Sequence, residues 1–332
     1  MDRKEPTSGE DSLIARYFRP LATDPGAFDL GDDAALLKAL GDDIVVTTDA
    51  IVEGVHFLSA DPPETIARKA LRVNLSDLAA KGATPAGFVM TLALRSADDA
   101  WLALFARGLG GDIGQFGCPL LGGDTVSTPG PLMISITAFG RLAPGRMVHR
   151  RGARPGDRVV VTGTIGDAAL GLDILKGGAV ATALADDAAA REMLVGRYRV
   201  PQPRNALANV VRDHANAAMD VSDGLAGDLA KLCAASGVSA AIDAQSIPWS
   251  AAAAALLARG TVGVEAAVSG GDDYEILCTI PELSFEVFAQ QAALTGVAVT
   301  SIGTVIAGTS PPRFLDGQGR EIALARLSYS HF

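Results

Sequence analysis

Residues 157–175, "DRVVVTGTIGDAALGLDIL", run from a valine-rich stretch through a glycine turn into a helical stretch. A β-branched run, a Gly-rich break and an alanine- and leucine-rich segment make a strand–turn–helix unit, the building block of layered α/β folds. The turn also has the elements of an anion site at a helix N-terminus, although such turns are more often only structural. Immediately before it, "RLAPGRMVHRRGARPGD" (141–157) is rich in Pro, Gly and Arg and has no periodicity. A domain boundary is placed there, giving domains 1–145 and 146–332.

Upstream, "EDSLIARYFRPL" reads as an amphipathic helix with Leu13, Ile14, Tyr17 and Phe18 on one face. "DDIVVTTDA" is a buried strand ending at Asp49, and "PPETIARKALRVNLSDLAAKGA" is a helix opened by prolines and closed at Gly82. "GFVMTLAL", "DDAWLALFARGLGGDI", "CPLLGGDT" and "LMISITAFGRL" continue as strand, helix, short strand and strand. Downstream, helical "LANVVRDHA", strand-like "AAMDVS" and helical "LAGDLAKLCAASG" lead to a strand at "AAID" and an alanine-rich helix capped near Ser250. The strand "YEILCTI", a helix at 282–295 and the strand "VTSIGTVI" follow. The pattern predicts two α/β (α+β) domains.

A formal charge of −10 over 332 residues argues against nucleic acid or an anionic membrane as partner. The polar N-terminus lacks the apolar stretch of a signal peptide, and the longest apolar run is too short to span a bilayer. Cys118, Cys233 and Cys278 form no CxxC pair and no zinc pattern, and read as buried thiols of a cytoplasmic protein. There is no GxxxxGK[ST], no matching GxGxxG and no GxSxG.

Aspartates beside glycines and at strand ends carry the remaining chemistry: Asp33, Asp49, Asp77, Asp124, Asp220, Asp223 and the pair in "SGGDDYEIL" (269–277). Each could equally cap a helix or tighten a turn. Asp77 differs, because it lies in a helix interior where Asp is a poor former, though an exposed helix face would explain it. Two carboxylates about 4 Å apart repel by about 4 kcal/mol at an effective dielectric of 20. A convergent set would therefore need a compensating cation, and carboxylate with Thr hydroxyl oxygens is what Mg²⁺ accepts.

In this order the motifs resemble the thiamine-monophosphate kinase family. The resemblance is carried by "GEDSLIARYF" (9–18), "GDDAALL" (31–37), "TTDAIVEGVHF" (47–57), "NLSDLAAKGA" (74–83) and "LLGGDT" (120–125). In the second half it is carried by "RRGARPGDRVVVTG" (150–163), "MDVSDGL" (219–225), "SGGDDYEIL" and the ending "YSHF". The resemblance implies a two-domain fold like that of aminoimidazole ribonucleotide synthetase, with an N-terminal domain that dimerises through its sheet and a C-terminal α/β domain. It implies transfer of the ATP γ-phosphoryl group to thiamine monophosphate, the last step of thiamine diphosphate biosynthesis. It further implies several Mg²⁺ ions held by Asp33, Thr48, Asp49, Asp77, Asp124, Asp220 and Asp223. Thr47, Gly123, Asp124, Arg150 and Ser222 would contact ATP or its metals, and His56 and Asp272 would contact thiamine monophosphate.

Three positions depart from the family pattern. Lys81 replaces a common Met and reads as a surface change. Asp272 replaces a frequent Glu, and the C-terminal aromatic contact, near Arg326 and Tyr329, is left unassigned. The sister activities fit less well: selenophosphate synthetase would need a reactive residue near the N-terminus, whereas the first cysteine is Cys118. The hydrogenase-maturation relative would need a C-terminal cysteine. A scaffold that kept the fold and lost turnover is the alternative from another class, and the intact aspartate set argues against it.

Overall fold

The computed structural model describes residues 12–30, 37–324 and 327, so the expectations for Asp33, Arg326 and Tyr329 lie outside the described residues. The chain forms two compact units, Met1–Leu78 with Thr84–Gly145, and Ala79–Ala83 with Arg146–Phe332.

The first unit contains β1 (Asp43–Val52), α1 (Pro63–Ala80, whose last two residues belong to the second unit), β2 (Thr84–Leu94), α2 (Asp99–Phe116), β3 (Leu120–Ser127) and β4 (Met133–Leu142). Pro63 suits the first turn of α1 because a helix-start N–H has no intrahelical partner, and Glu64 complements the positive end of the helix. Asp98 caps α2 by accepting from Ala100 N and Trp101 N, and Gly117 ends it at φ 61°. The predicted N-terminal helix is instead wound unevenly, as a π-type turn over Ile14–Phe18 and a 3₁₀ turn over Arg19–Leu21. Pro20, which lacks an N–H, interrupts the regular ladder there.

The four strands form a mixed sheet in the order β1-β4-β2-β3, with only β2 and β3 parallel. Asp49, Ile136, Met90 and Gly123 lie in one row across it. Because the side-chain period is two, Val45, Thr47, Asp49 and Ile51 share one face with the buried Ile134, Ile136 and Ala138. The opposite face carries Val46, 57% exposed, and Val126, 41% exposed.

The second unit contains β5 (Arg158–Thr162), α3 (Asp167–Leu175), α4 (Ala179–Ala183), α5 (Ala188–Arg199), α6 (Ala208–His214), β6 (Ala217–Asp220) and α7 (Leu225–Ser236). It continues with β7 (Ser239–Asp243), α8 (Ala251–Ala258), α9 (Val264–Val268), β8 (Ile276–Ile280), α10 (Phe285–Leu294), β9 (Val299–Ile306) and β10 (Arg313–Leu315). Its mixed six-stranded sheet has the order β10-β7-β9-β5-β8-β6. Val159, Val160 and Val161 are all fully buried, because β5 is covered on both faces. Val159 and Val161 pack with Leu225, Leu229 and Leu232 of α7. Val160 packs with Val211 of α6 and Phe288 of α10. Each such valine contributes about 1.5 kcal/mol or more of burial free energy. Ser250 caps α8 by accepting from Ala253 N at 3.1 Å, as the sequence predicts.

Lys81 is not the surface change the sequence suggested. It is half-buried, and its Nζ donates to the Ala218 carbonyl oxygen at 2.8 Å, on the edge strand β6. No helix among the described residues is long and apolar enough to cross a membrane.

Candidate active site and family

In the first unit the predicted residues fall on β1, α1 and β3. Thr47 donates its hydroxyl hydrogen to Asp77 Oδ2 across 2.5 Å, which draws the helix-interior aspartate against the sheet. Asp77 is half-buried there, so an exposed helix face does not account for it. Asp49 lies two residues along on the same face of β1, and its backbone N–H donates to Asn74 Oδ1 at 3.1 Å. Thr48 points to the other face, where its hydroxyl accepts from Thr137 at 3.0 Å and donates to the Ile136 carbonyl at 3.1 Å.

Gly123 is required as glycine, since a Cβ there would overlap the Met90 carbonyl oxygen. Asp124, the next residue, pairs with Thr91 in a row that ends at Ala50. It therefore sits on the face opposite Asp49. Three strand spacings separate β1 from β3, about 14 Å at about 4.8 Å each. The sheet of one chain thus gathers Thr47, Asp49 and Asp77 and keeps Asp124 apart from them.

His56 lies in the turn "EGVHF". Its Nδ1 accepts the Val52 N–H at 3.1 Å, which places the ring proton of the neutral imidazole on Nε2 and makes that atom a donor. Lys69, 1% exposed, holds the turn by donating Nζ to the His56 carbonyl at 2.8 Å. Phe57 anchors it in the core.

In the second unit Asp220 ends β6 and is buried, and Ser222 and Asp223 follow in a loop before α7. The Asp228 carboxylate accepts from Ser222 N and Asp223 N, both at 3.0 Å. Lys231 donates to Asp228 Oδ1 at 2.8 Å and to Asp223 Oδ2 at 2.5 Å. Arg150 is exposed on a loop whose Gly152 and Ala153 N–H groups donate to Ser236 Oγ at 3.1 and 3.2 Å.

The stretch 269–277 lies along that loop. Asp272 N donates to the Ser222 carbonyl and Tyr274 N to the Val221 carbonyl, both at 2.8 Å. The glycines permit this approach, because a Cβ on Gly271 would collide with the Ser222 carbonyl oxygen. Asp272 has φ 73°, a left-handed conformation that Asp tolerates better than most residues.

The paired carboxylates differ in their surroundings. Asp272 is partly exposed, whereas Asp273 is buried and accepts from Gly166 N at 2.7 Å. The chain's own carboxylate therefore occupies the N-terminus of α3, where the sequence alone left room for an anion site. Burial pushes the Asp273 carboxyl well above the usual range, against the lowering effect of the Gly166 N–H. Glu275, fully buried, accepts from Thr162 Oγ1 at 2.6 Å, from Arg197 at 2.7 Å and from Arg204 Nε at 2.6 Å.

Sequence reasoning singled out the Asp272–Asp273 pair but passed over Asp228, Lys231 and Glu275. A charged residue inside the apolar run "YEILCTI" was the signal for Glu275. The three cysteines are inert: burial pushes Cys118 and Cys278 up to about 12 and Cys233 to about 11.

The donor set of Thr47, Asp49 and Asp77 consists of hard oxygens, which fits a divalent cation such as Mg²⁺. No group of three or more His, Cys, Asp or Glu side chains able to hold a metal occurs among the described residues.

Two family models match the chain: AIR synthase related protein, N-terminal domain, over residues 31–142, and AIR synthase related protein, C-terminal domain, over residues 154–313. The chain is also 45% identical over 324 residues to the thiamine-monophosphate kinase of Caulobacter vibrioides, covering 96% of this chain and 89% of that protein. The chain belongs to the thiamine-monophosphate kinase family. Another thiamine-monophosphate kinase, from Stenotrophomonas maltophilia, has a solved structure similar at a TM-score of 0.82 and 38% identity, covering 94% of this chain and 96% of that one. AaThiL complexed with AMPPCP and TMP is similar at a TM-score of 0.76 and 30% identity, with 91% of each chain covered.

Proposed function

We propose that the protein transfers the γ-phosphoryl group of ATP to thiamine monophosphate, giving thiamine diphosphate and ADP. The observation that carries this reading is the 45% identity to a thiamine-monophosphate kinase over nearly the whole chain. The likeness to AaThiL complexed with AMPPCP and TMP supports a nucleotide and a thiamine phosphate as the two substrates.

The nucleophile in this reaction is a phosphate oxygen that is already anionic at neutral pH, so no strong general base is needed. The obstacle is repulsion between two anions, and catalysis is positioning with charge neutralisation. Magnesium, held by Asp49 and Asp77 with Thr47 in the first unit and by Asp220 and Asp223 in the second, would supply that neutralisation. Asp33 is proposed to join that set, and Thr48 and Asp124, on the sheet face opposite Asp49, are proposed as ligands of further ions.

Thr47, Gly123, Asp124, Arg150 and Ser222 are assigned to ATP, where the Arg150 guanidinium offers a planar donor fork to phosphate. His56, with Nε2 as the donor, and Asp272 are assigned to thiamine monophosphate. The protein is proposed to act as a homodimer through the sheet of the first unit. Supporting this are the exposed Val46 and Val126 on one sheet face and the edge strands β1 and β3.

The test is the reaction. Purified protein with ATP, MgCl₂ and thiamine monophosphate is expected to form thiamine diphosphate and ADP, and none in EDTA. ATP binding with no product from any thiamine phosphate would overturn the reading and favour a non-catalytic scaffold. Light scattering is expected to give a dimer mass, and Val46→Lys a shift toward monomer.

A further inference from the structure

The loop Ser222–Gly224 carries two side chains assigned above to nucleotide and metal, yet neither of them holds the loop in place. That task falls to Asp228, whose side chain is fully buried in the first turn of α7. A carboxylate at that point would ordinarily serve the free N–H groups of its own helix. Here it reaches back out of the helix instead. One oxygen accepts the backbone N–H of Ser222 and of Asp223, each at 3.0 Å, and the other accepts Lys231 Nζ at 2.8 Å.

Three donors on one buried carboxylate are strong, charge-assisted bonds. They fix two consecutive peptide planes and with them the directions in which the Ser222 and Asp223 side chains leave the backbone. Lys231 adds a second constraint. Its ammonium also meets Asp223 Oδ2 at 2.5 Å, so the Asp223 carboxylate is oriented from one side and offers its other oxygen outward. Lys231 is half-exposed on α7, one turn beyond Asp228. A single helix face thus sets both the backbone and the side chain of the loop.

The loop is held on its far side as well. Ser222 offers its carbonyl to Asp272 N at 2.8 Å, and Gly224, at φ 112°, lies against Ser269. Order imposed by Asp228 on Ser222 therefore passes directly to the segment bearing Asp272.

We propose that Asp228 is a positioning residue for phosphoryl transfer, acting through the Ser222 and Asp223 backbone, with Lys231 orienting Asp223. This rests on the kinase reading above. The Asp228 side chain is fully buried, and both its oxygens are taken by these donors. A misplacement of about 1 Å in such a loop costs on the order of 100-fold in rate.

The experiment compares wild type, Asp228→Ala, Asp228→Asn and Lys231→Met by steady-state kinetics, ATP-binding titration, thermal unfolding and amide hydrogen exchange of the 221–224 segment. Asp228→Ala is expected to remain folded, to exchange the Ser222 and Asp223 amides at least about tenfold faster, and to lower kcat about 10- to 100-fold. KM for thiamine monophosphate should change less than KM for ATP. Asp228→Asn keeps an oxygen that can accept both N–H groups, so it should restore the exchange protection and most of kcat. Lys231→Met should leave the amides protected and raise KM for ATP severalfold.

A folded Asp228→Ala protein with faster exchange but wild-type kcat and KM for ATP would overturn the proposal. If Asp228→Ala does not fold, Lys231→Met with unchanged KM for ATP, or Asp228→Asn with protected amides and a kcat at least about 10-fold below wild type, overturns it instead. Should wild type bind ATP but transfer nothing, the kinase reading has failed. The ATP-binding and exchange measurements then still decide whether Asp228 orders the nucleotide loop.

Discussion

Thr47 on β1 and Asp77 on α1 are joined by a direct hydroxyl–carboxylate hydrogen bond, although thirty residues separate them in the chain. The bond ties a helix-interior carboxylate to the strand that also bears Asp49, and makes a structural prediction separable from a catalytic one. Thr47→Val removes the donor and should cost about 1 kcal/mol of stability. Asp77→Asn still accepts from Thr47, so its unfolding midpoint should stay close to wild type while kcat falls by more than about 100-fold. Equal losses of stability and rate in Asp77→Asn would place the residue in the fold alone. Calorimetry and initial rates on the same preparations distinguish the two.

Glu275 is the common partner of Arg197, Arg204 and the Thr162 hydroxyl in the interior of the second unit. Glu275→Gln leaves two guanidinium groups facing a neutral amide. Removing one partner of a buried ionic cluster costs about 3 kcal/mol or more, so the urea midpoint should fall clearly at constant slope. A midpoint unchanged within error would show that solvent relieves the arginines, whose side chains retain 13% and 22% exposure.

Asp273 should produce a pH signature. Burial raises its pKa in the folded state above that of the unfolded chain. The folded protein then binds the proton more tightly, so the stability this group contributes is fully present below the unfolded-state pKa, about 3.9. It is lost as pH rises through the raised folded value. Asp273→Asn cannot titrate and can still accept from Gly166 N. Its melting temperature is therefore expected to match wild type near pH 4 and to exceed it near pH 8. Parallel melting curves across that range would contradict the sign.

Gly123 predicts a backbone effect at the proposed nucleotide strand. Gly123→Ala sets a Cβ against the Met90 carbonyl oxygen, and backbone cannot give way as a flexible side chain would. β3 must move off β2, and the adjacent Asp124 moves with it. The expected outcome is a lower melting temperature together with a higher KM for ATP. By contrast, Gly122→Ala has only a Val89 methyl at 3.9 Å to meet and should leave both close to wild type.

Most strands and helices were legible because their signals are local. The valine run of β5, the prolines that open α1 and the Ser250 cap of α8 each act within a few residues. The N-terminal helix was read less well, because its apolar face follows a helical period while Pro20 breaks the hydrogen-bond ladder. Lys81 was misread for a different reason: its partner, the Ala218 carbonyl, lies 137 residues away.

The sequence by itself determined the class, the family and the identity of the carboxylates. Spaced glycine–aspartate motifs survive as patterns in one dimension. Only tertiary structure decided which donors surround each of those carboxylates and how far it is buried. Asp272 and Asp273 are neighbours in sequence, yet one is partly exposed and the other is buried at the start of α3. Asp49 and Asp124 both end glycine- or threonine-rich runs, yet the strand order β1-β4-β2-β3 sets them three strands apart on opposite faces. Asp228 had no motif of its own. The physical reason is the same in each case: a carboxylate's role depends on the donors around it, and these come from segments that folding, not adjacency, brings together.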